Sequence, residues 1–240
     1  PIPLPPSVRW LSETDWAEAW KSGYSVQHIG RCLVIKPSWL TYAATRGQVV
    51  IELDPGLAFG TGLHPSTRLC LAALEDYLQC GDQVLDVGTG SGILSIAAAK
   101  LGAGGVIALD IDDTALEVAR ENIIRNGVQD LILLRRASLG PLTEPRGEDD
   151  PVEIFNASGA WDGTFDLLLM NILPDVVARS AEAIAACLAK GGIFIVSGII
   201  QSQEKLVREA LTAAGLVIKE CRVLENWIAL IGHSSVDNTL

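Results

Sequence analysis

The chain has little of what metal, redox and nucleic-acid proteins depend on. Its three histidines, His28, His64 and His233, are scattered and offer no metal-ligand spacing. Its five cysteines, Cys32, Cys70, Cys80, Cys187 and Cys221, lie far apart with no C-x-x-C pair. They read as buried small hydrophobes of a reducing, cytoplasmic compartment. Basic residues are also short, 18 against 29 acidic ones, for a net charge of −11. That balance argues against a nucleic-acid surface, which needs clustered Lys and Arg, and is compatible with a basic protein partner. No apolar run reaches the length of a membrane span, and no signal-peptide pattern opens the chain. The only methionine is Met170 and the first residue is Pro1, so the chain is expected to lack its start.

What is present is apolar and periodic. At 240 residues, 49% of them hydrophobic, the sequence suits one large α/β domain or one domain with a short appendage. It is organised around Val84–Gly92 and the apolar run Ile93–Ala99, which read as a buried strand, a glycine turn and a helix packed back onto the sheet. Glycines at alternate positions allow a sharp turn and leave no side chain between backbone and ligand, while the helix start offers unpaired N–H groups. A dinucleotide fingerprint wants G-x-G-x-x-G/A. Here the third glycine comes one position early, at Gly92, and Asp86 stands two positions before the first. D-x-G-x-G-x-G resembles motif I of the S-adenosylmethionine-dependent methyltransferases, and a turn without ligand is the plainer alternative.

From Gln83 onward β and α segments alternate. Strands are predicted at Val84–Val87, Val106–Asp110, Leu131–Arg135, Phe165–Met170, Ile193–Ser197, Leu216–Val223 and Trp227–Ile231. Helices are predicted at Gly92–Leu101, Asp113–Asn126, Pro174–Ala189 and Ser202–Ala214. Such alternation implies a doubly wound, mainly parallel seven-stranded sheet, α/β and Rossmann-like in class. Only Leu224-Glu225-Asn226 joins the last two strands, so they must form an antiparallel C-terminal hairpin. Ahead of this, residues 1–54 read as a lead-in that packs on the main domain. It contains a short helix around Trp16 and Trp20, and strand-like runs at Cys32–Ile35 and Val49–Leu53. A glycine-rich loop then leads to a helix beginning at Pro65 and running to about Leu78, with Ser66 and Thr67 in its first turn. Either these hydroxyls line a polar ligand or they cap a rigid turn. The interval Leu139–Gly163, holding three prolines and Glu144, Glu148, Asp149, Asp150 and Glu153, reads as a long irregular loop.

Two polar residues end apolar strands. Asp110 follows Gly92 by 18 residues, where doubly wound folds place a carboxylate on ribose hydroxyls; capping of the next helix is better served by Asp112 or Asp113. Asn171 sits between an apolar strand and Pro174. Its amide oxygen suits an amine N–H, with a helix cap as the alternative.

From about Asp15 to Gly232 the sequence resembles the bacterial methyltransferases of large-subunit ribosomal protein eleven, the PrmA family. The marks are Asp15-Trp16 with Trp20-Lys21, Ile29-Gly30, Ile35-Lys36-Pro37-Ser38-Trp39, the run Leu53–Thr67, the glycine turn, and Asn171-Ile172-Leu173. Ala58-Phe59-Gly60-Thr61-Gly62-Leu63-His64-Pro65 is the most specific of them. The resemblance implies a methyltransferase domain over 55–234 with a tail at 235–240, and S-adenosyl-L-methionine as cofactor. Contacts are implied at Thr67, Gly88, Asp110 and Asn171, with Phe59, Thr61, Asp86 and Gly90 completing the binding set and Asn171 as the catalytic residue. It implies methyl transfer to lysine, and possibly N-terminal, amines of a ribosomal protein, with no direct nucleic-acid or membrane partner. The sequence departs from the family in three ways. The family's small recognition domain has at most about a dozen residues here, Ser66 stands where Thr is common, and the 139–163 loop is longer and more acidic than expected. The competing readings are a lysine methyltransferase of another protein, a cofactor-binding module without activity, and an NAD-dependent oxidoreductase, which Ile93 disfavours.

Overall fold

The structure is a computed structural model that describes residues 25–54, 62–140, 152–155 and 161–235. The lead-in forms a three-stranded sheet of β1 (Gln27–Ile29), β2 (Leu33–Pro37) and β3 (Val49–Leu53), with β1 antiparallel and β3 parallel to β2. The expected helix around Trp16 and Trp20 lies outside the described residues. Then come α1 (Pro65–Tyr77), β4 (Gln83–Val87), α2 (Ile93–Leu101), β5 (Gly105–Asp110), α3 (Asp113–Arg125), β6 (Ile132–Leu139) and β7 (Glu153–Phe155). The chain continues through β8 (Phe165–Asn171), α4 (Pro174–Arg179), α5 (Ala181–Cys187), β9 (Leu188–Ile200), a 3-10 turn, α6 (Glu204–Ala213), β10 (Leu216–Leu224) and β11 (Trp227–Ser234).

The large sheet runs β10-β11-β9-β8-β4-β5-β6-β7. Its strands are parallel except β11, which pairs antiparallel with both β10 and β9. This is the doubly wound, Rossmann-like arrangement with an antiparallel hairpin at its end, and its seven expected strands are all present. An eighth is added where only a loop was expected. The segment Glu153–Phe155 pairs with Ala137–Leu139 inside the 139–163 interval. Its three residues carry no periodic pattern and are strand only because β6 offers an open edge.

Alternation along the strands sorts the core into two layers. Val84, Val106, Ala108, Leu167 and Leu169 face α1, α2 and α3, and the lead-in's Ile29, Leu33, Ile35, Ile51 and Leu53 join the same cluster. Leu85, Val87, Leu109, Leu168 and Met170 face Val177, Ile184, Val207 and Leu211 of α4, α5 and α6. The lead-in is held by polar clasps as well. The Glu75 carboxylate of α1 accepts the backbone N–H groups of Arg31, Cys32 and Leu33 at 2.6, 2.9 and 2.8 Å. Burial works against its charge, and the amides outweigh it, holding the carboxyl below the ordinary range.

Two further expectations are corrected. The helix predicted at Pro174–Ala189 breaks at Ser180, whose hydroxyl donates to the Leu139 carbonyl at 2.7 Å, and its last two residues belong to β9. Among the cysteines, Cys70 and Cys187 are buried, whereas Cys80 and Cys221 are exposed and Cys32 is half-buried. Cys221 takes an outward position on the alternating face of β10, an edge strand with one side in solvent.

Candidate active site

The site lies where the carboxyl ends of β5, β4, β8 and β9 come together, the edge at which open α/β sheets bind ligands. The β4–α2 turn is braced almost entirely by its own neighbourhood. The Gly88 and Thr89 N–H groups both donate to the Leu109 carbonyl, at 2.9 and 2.8 Å, and Gly92 N–H donates to the Thr89 carbonyl at 2.9 Å. Gly88, Gly90 and Gly92 have φ of 74°, 55° and 82°, a conformation in which a side chain is strained. Most of the turn's own amides close the turn, and the start of α2, where the sequence placed unpaired N–H groups, has N-cap Gly92 with no side-chain cap.

Asp86 is fully buried beneath the turn. Its Oδ2 accepts from Ser95 at 2.6 Å and Thr89 at 2.7 Å, while its Oδ1 has no hydrogen-bond partner among the described residues. Burial pushes its carboxyl up to about 6, against the pull of the two hydroxyls. Asp86 therefore braces the turn from beneath through these two hydroxyls. Asp110, at the end of β5, accepts Gly90 N–H on Oδ2 at 2.9 Å and Asp112 N–H on Oδ1 at 3.1 Å. A carboxylate has about four acceptor sites, so each oxygen keeps capacity for a hydroxyl. The capping role falls to Asp112, which accepts from Thr114 N–H at 2.9 Å.

On the other side of the turn, Asn171 ends β8. Its Nδ2 donates to Thr67 Oγ1 at 3.2 Å, and its buried Oδ1 has no hydrogen-bond partner among the described residues. The capping alternative is removed, since the N-cap of α4 is Leu173 and no side chain bonds there. Thr67 is 1% exposed in the first turn of α1. The cap of that helix is His64, whose Nδ1 accepts from Ser66 N–H at 3.3 Å and lies 2.7 Å from Ser66 Oγ. The two hydroxyls thus divide: Ser66 serves the cap and Thr67 faces Asn171. The His64 ring stands edge-on to Trp227, centroids 4.4 Å apart.

One site feature escaped the sequence reading. Ile172 is wedged between two glycines: a Cβ on Gly88 would meet Ile172 Cγ2 at 2.3 Å, and one on Gly198 of β9 would meet the Ile172 carbonyl oxygen at 2.2 Å. Gly198, with φ +81°, is as constrained as the turn glycines and fixes the backbone next to Asn171. Its signal in the sequence was an isolated glycine inside an apolar strand. Of the eight expected site residues, Asp86, Gly88, Gly90, Asp110, Thr67 and Asn171 come together at these strand ends. Phe59 and Thr61 lie outside the described residues. Those described hold no group of His, Cys, Asp and Glu that would bind a metal ion, and no helix among them is long and apolar enough to cross a membrane.

Comparison with known proteins gives concordant results. The family model described as ribosomal protein L11 methyltransferase (PrmA) matches residues 6–235. The ribosomal protein L11 methyltransferase of Chloroflexus aurantiacus is 48% identical over 237 residues, covering 95% of this chain and 72% of that one. The protein of the same name from Listeria monocytogenes is 42% identical over 230 residues, covering 96% and 68%. Among solved structures, the ribosomal protein L11 methylase of Lactobacillus delbrueckii subsp. bulgaricus superposes with a TM-score of 0.75 at 35% identity, covering 89% of this chain and all of that one.

Proposed function

Because this chain belongs to the ribosomal protein L11 methyltransferase (PrmA) family, we propose that it methylates lysine amines of ribosomal protein L11, with Asn171 orienting the amine. It is an enzyme, a methyltransferase, and S-adenosylmethionine is its methyl donor. The residues described fit that donor. Asp110 keeps acceptor capacity for ribose hydroxyls, and the uncapped start of α2 suits a carboxylate. Gly88 leaves no side chain over the turn, and Thr67 and Asn171 form the wall across from it. Asp86 and Gly90 hold the turn in shape. The bound donor supplies an electrophilic methyl group on a sulfonium.

The observation that carries this reading is the buried Asn171 Oδ1. A buried amide oxygen with no partner costs roughly 1–3 kcal/mol. An incoming amine N–H relieves it and is held with its lone pair directed by the contact. Thr67 fixes which end of the amide faces the amine by accepting from Nδ2. A lysine must arrive neutral to react, and a site closed to water lowers its pKa from ~10.4. No base is required for an amine already neutral. The chain's net charge of −11 favours a basic substrate. The test is incubation with S-adenosylmethionine and purified ribosomal protein L11, followed by mass spectrometry of the digest. Methyl groups on lysine side chains are expected. Methylation confined to other residue types, or to another ribosomal protein, overturns the substrate assignment.

A further inference from the structure

Asn122 of α3 lies outside every residue so far assigned to the site, yet it is 1% exposed and each of its side-chain polar atoms is engaged. Its Nδ2 donates to the Ser91 carbonyl at 3.0 Å. Its Oδ1 accepts from Asp54 N–H at 3.1 Å and from the Arg125 guanidinium at 2.9 Å. Ser91 sits between Gly90 and Gly92, two left-handed residues with much conformational freedom. The peptide joining Ser91 to Gly92 is gripped at both ends, its carbonyl by Asn122 and its N–H by the Thr89 carbonyl. Three residues earlier, Ala119 packs where a Gly92 Cβ would stand, at 3.3 Å. One helix thus sets both the position of the turn and the tilt of its last peptide.

We infer that Asn122 is a positioning residue for the methyl donor, holding the glycine turn in its binding conformation and tying it to the end of β3. This rests on the reading of that turn as the donor's cradle. Asn126, the C-cap of α3 one turn further on, supplies an internal control. It clasps β3 in the same manner, accepting Glu52 N–H at 3.0 Å and donating to the Glu52 carbonyl at 2.6 Å, but it has no bond to the turn. Both asparagines stabilise the lead-in, and only Asn122 reaches the cradle.

The experiment is calorimetric titration of S-adenosylmethionine and S-adenosylhomocysteine into Asn122→Ala, Asn122→Asp, Asn126→Ala and Asp110→Ala, with a Tm for each. Asn122→Asp keeps the acceptor used by Asp54 and Arg125 and replaces only the donor facing Ser91, so it reports even where the alanine variant does not fold. Both Asn122 variants should raise Kd about tenfold, the effect of roughly one lost buried hydrogen bond. Asn126→Ala should lower Tm and leave Kd within about twofold. If Asn122→Asp also binds within twofold of wild type while Asp110→Ala binds weakly, the positioning role is overturned and the cradle stands. If Asp110→Ala too binds as wild type, the cradle reading itself has failed.

Discussion

Two strand ends meet at this site, and each buries one side-chain oxygen that nothing among the described residues satisfies: Asp86 Oδ1 behind the β4–α2 turn and Asn171 Oδ1 at the end of β8. The difference between them is chemical. A carboxylate relieves an orphaned oxygen by taking up a proton, and the Asp86 carboxyl, pushed up to about 6 by burial, moves toward doing so. An amide oxygen has no such recourse. It needs a donor, and on the proposed function the orphan in the neutral side chain is the one that would receive the substrate amine. The orphan in the titratable side chain is a cost of building the turn.

Four measurements break or sharpen that contrast. The largest effect belongs to Asn171. Asn171→Ala should lower kcat by ~10²–10³, as losing one positioned polar contact to a reacting group does, with little change in donor affinity. Asn171→Asp should bind a lysine substrate yet hold it protonated, giving a rate that recovers as pH rises. Wild-type turnover by Asn171→Ala, coupled with a lower Tm, would make the residue structural.

Next is Asp110→Ala, expected to weaken donor binding by roughly 1.5–3 kcal/mol in calorimetry, the range for hydrogen bonds to a charged group. Part of this loss is the Gly90 brace and not the ribose contact. Thr67→Val comes third. Removing the acceptor for Asn171 Nδ2 should let the amide turn, cutting kcat about tenfold while Kd for the donor changes less. An unchanged kcat would show that Thr67 does not set the amide's orientation.

The smallest effect concerns Asp86→Asn and is read as stability against pH. With its folded value raised from 3.8 to about 6, wild-type Asp86 favours the fold fully below pH ~4, and that contribution is lost as pH rises through ~6. The amide carries no such titration, so the variant's Tm relative to wild type should be more favourable at pH 8 than at pH 4. Its nitrogen inherits the unpartnered position, which limits the gain to roughly 1 kcal/mol. A Tm difference that does not vary with pH means that the folded value of Asp86 is not raised above its unfolded one.

The central strands and the two candidate site residues at their ends were legible for one reason. Buried parallel strands are continuous apolar runs, so β4, β5 and β8 were placed to within a residue, and Asp110 and Asn171 stand out as polar breaks. What was not legible depends on contacts distant in sequence. The break at Ser180 carries no proline or glycine; it is set by the Leu139 carbonyl and by Gly140, where a Cβ would stand 3.0 Å from Ser180 Oγ. β7 exists only as an addition to β6, and Asn122 looks like any polar helix residue until the turn is folded against it. Gly198 had a local signal, but its purpose, clearance for Ile172, needed the neighbouring strand.

The order of the large sheet also bears on how the protein is made. β11 follows every other described strand of the large sheet in the chain, yet it belongs second from the edge, between β9 and β10. At translation rates of ~5–20 residues per second, a nascent chain holds the edge of β9 bare for seconds until β11 arrives to cover it. β10, synthesised just before, finds no seat beside β9 and must wait for its hairpin partner. Stalls that cut the chain short of Trp227 would thus leave β9, with its apolar Phe194, Val196 and Ile199, unpaired along that edge. Such truncated chains should be the ones that chaperones retain and proteases clear.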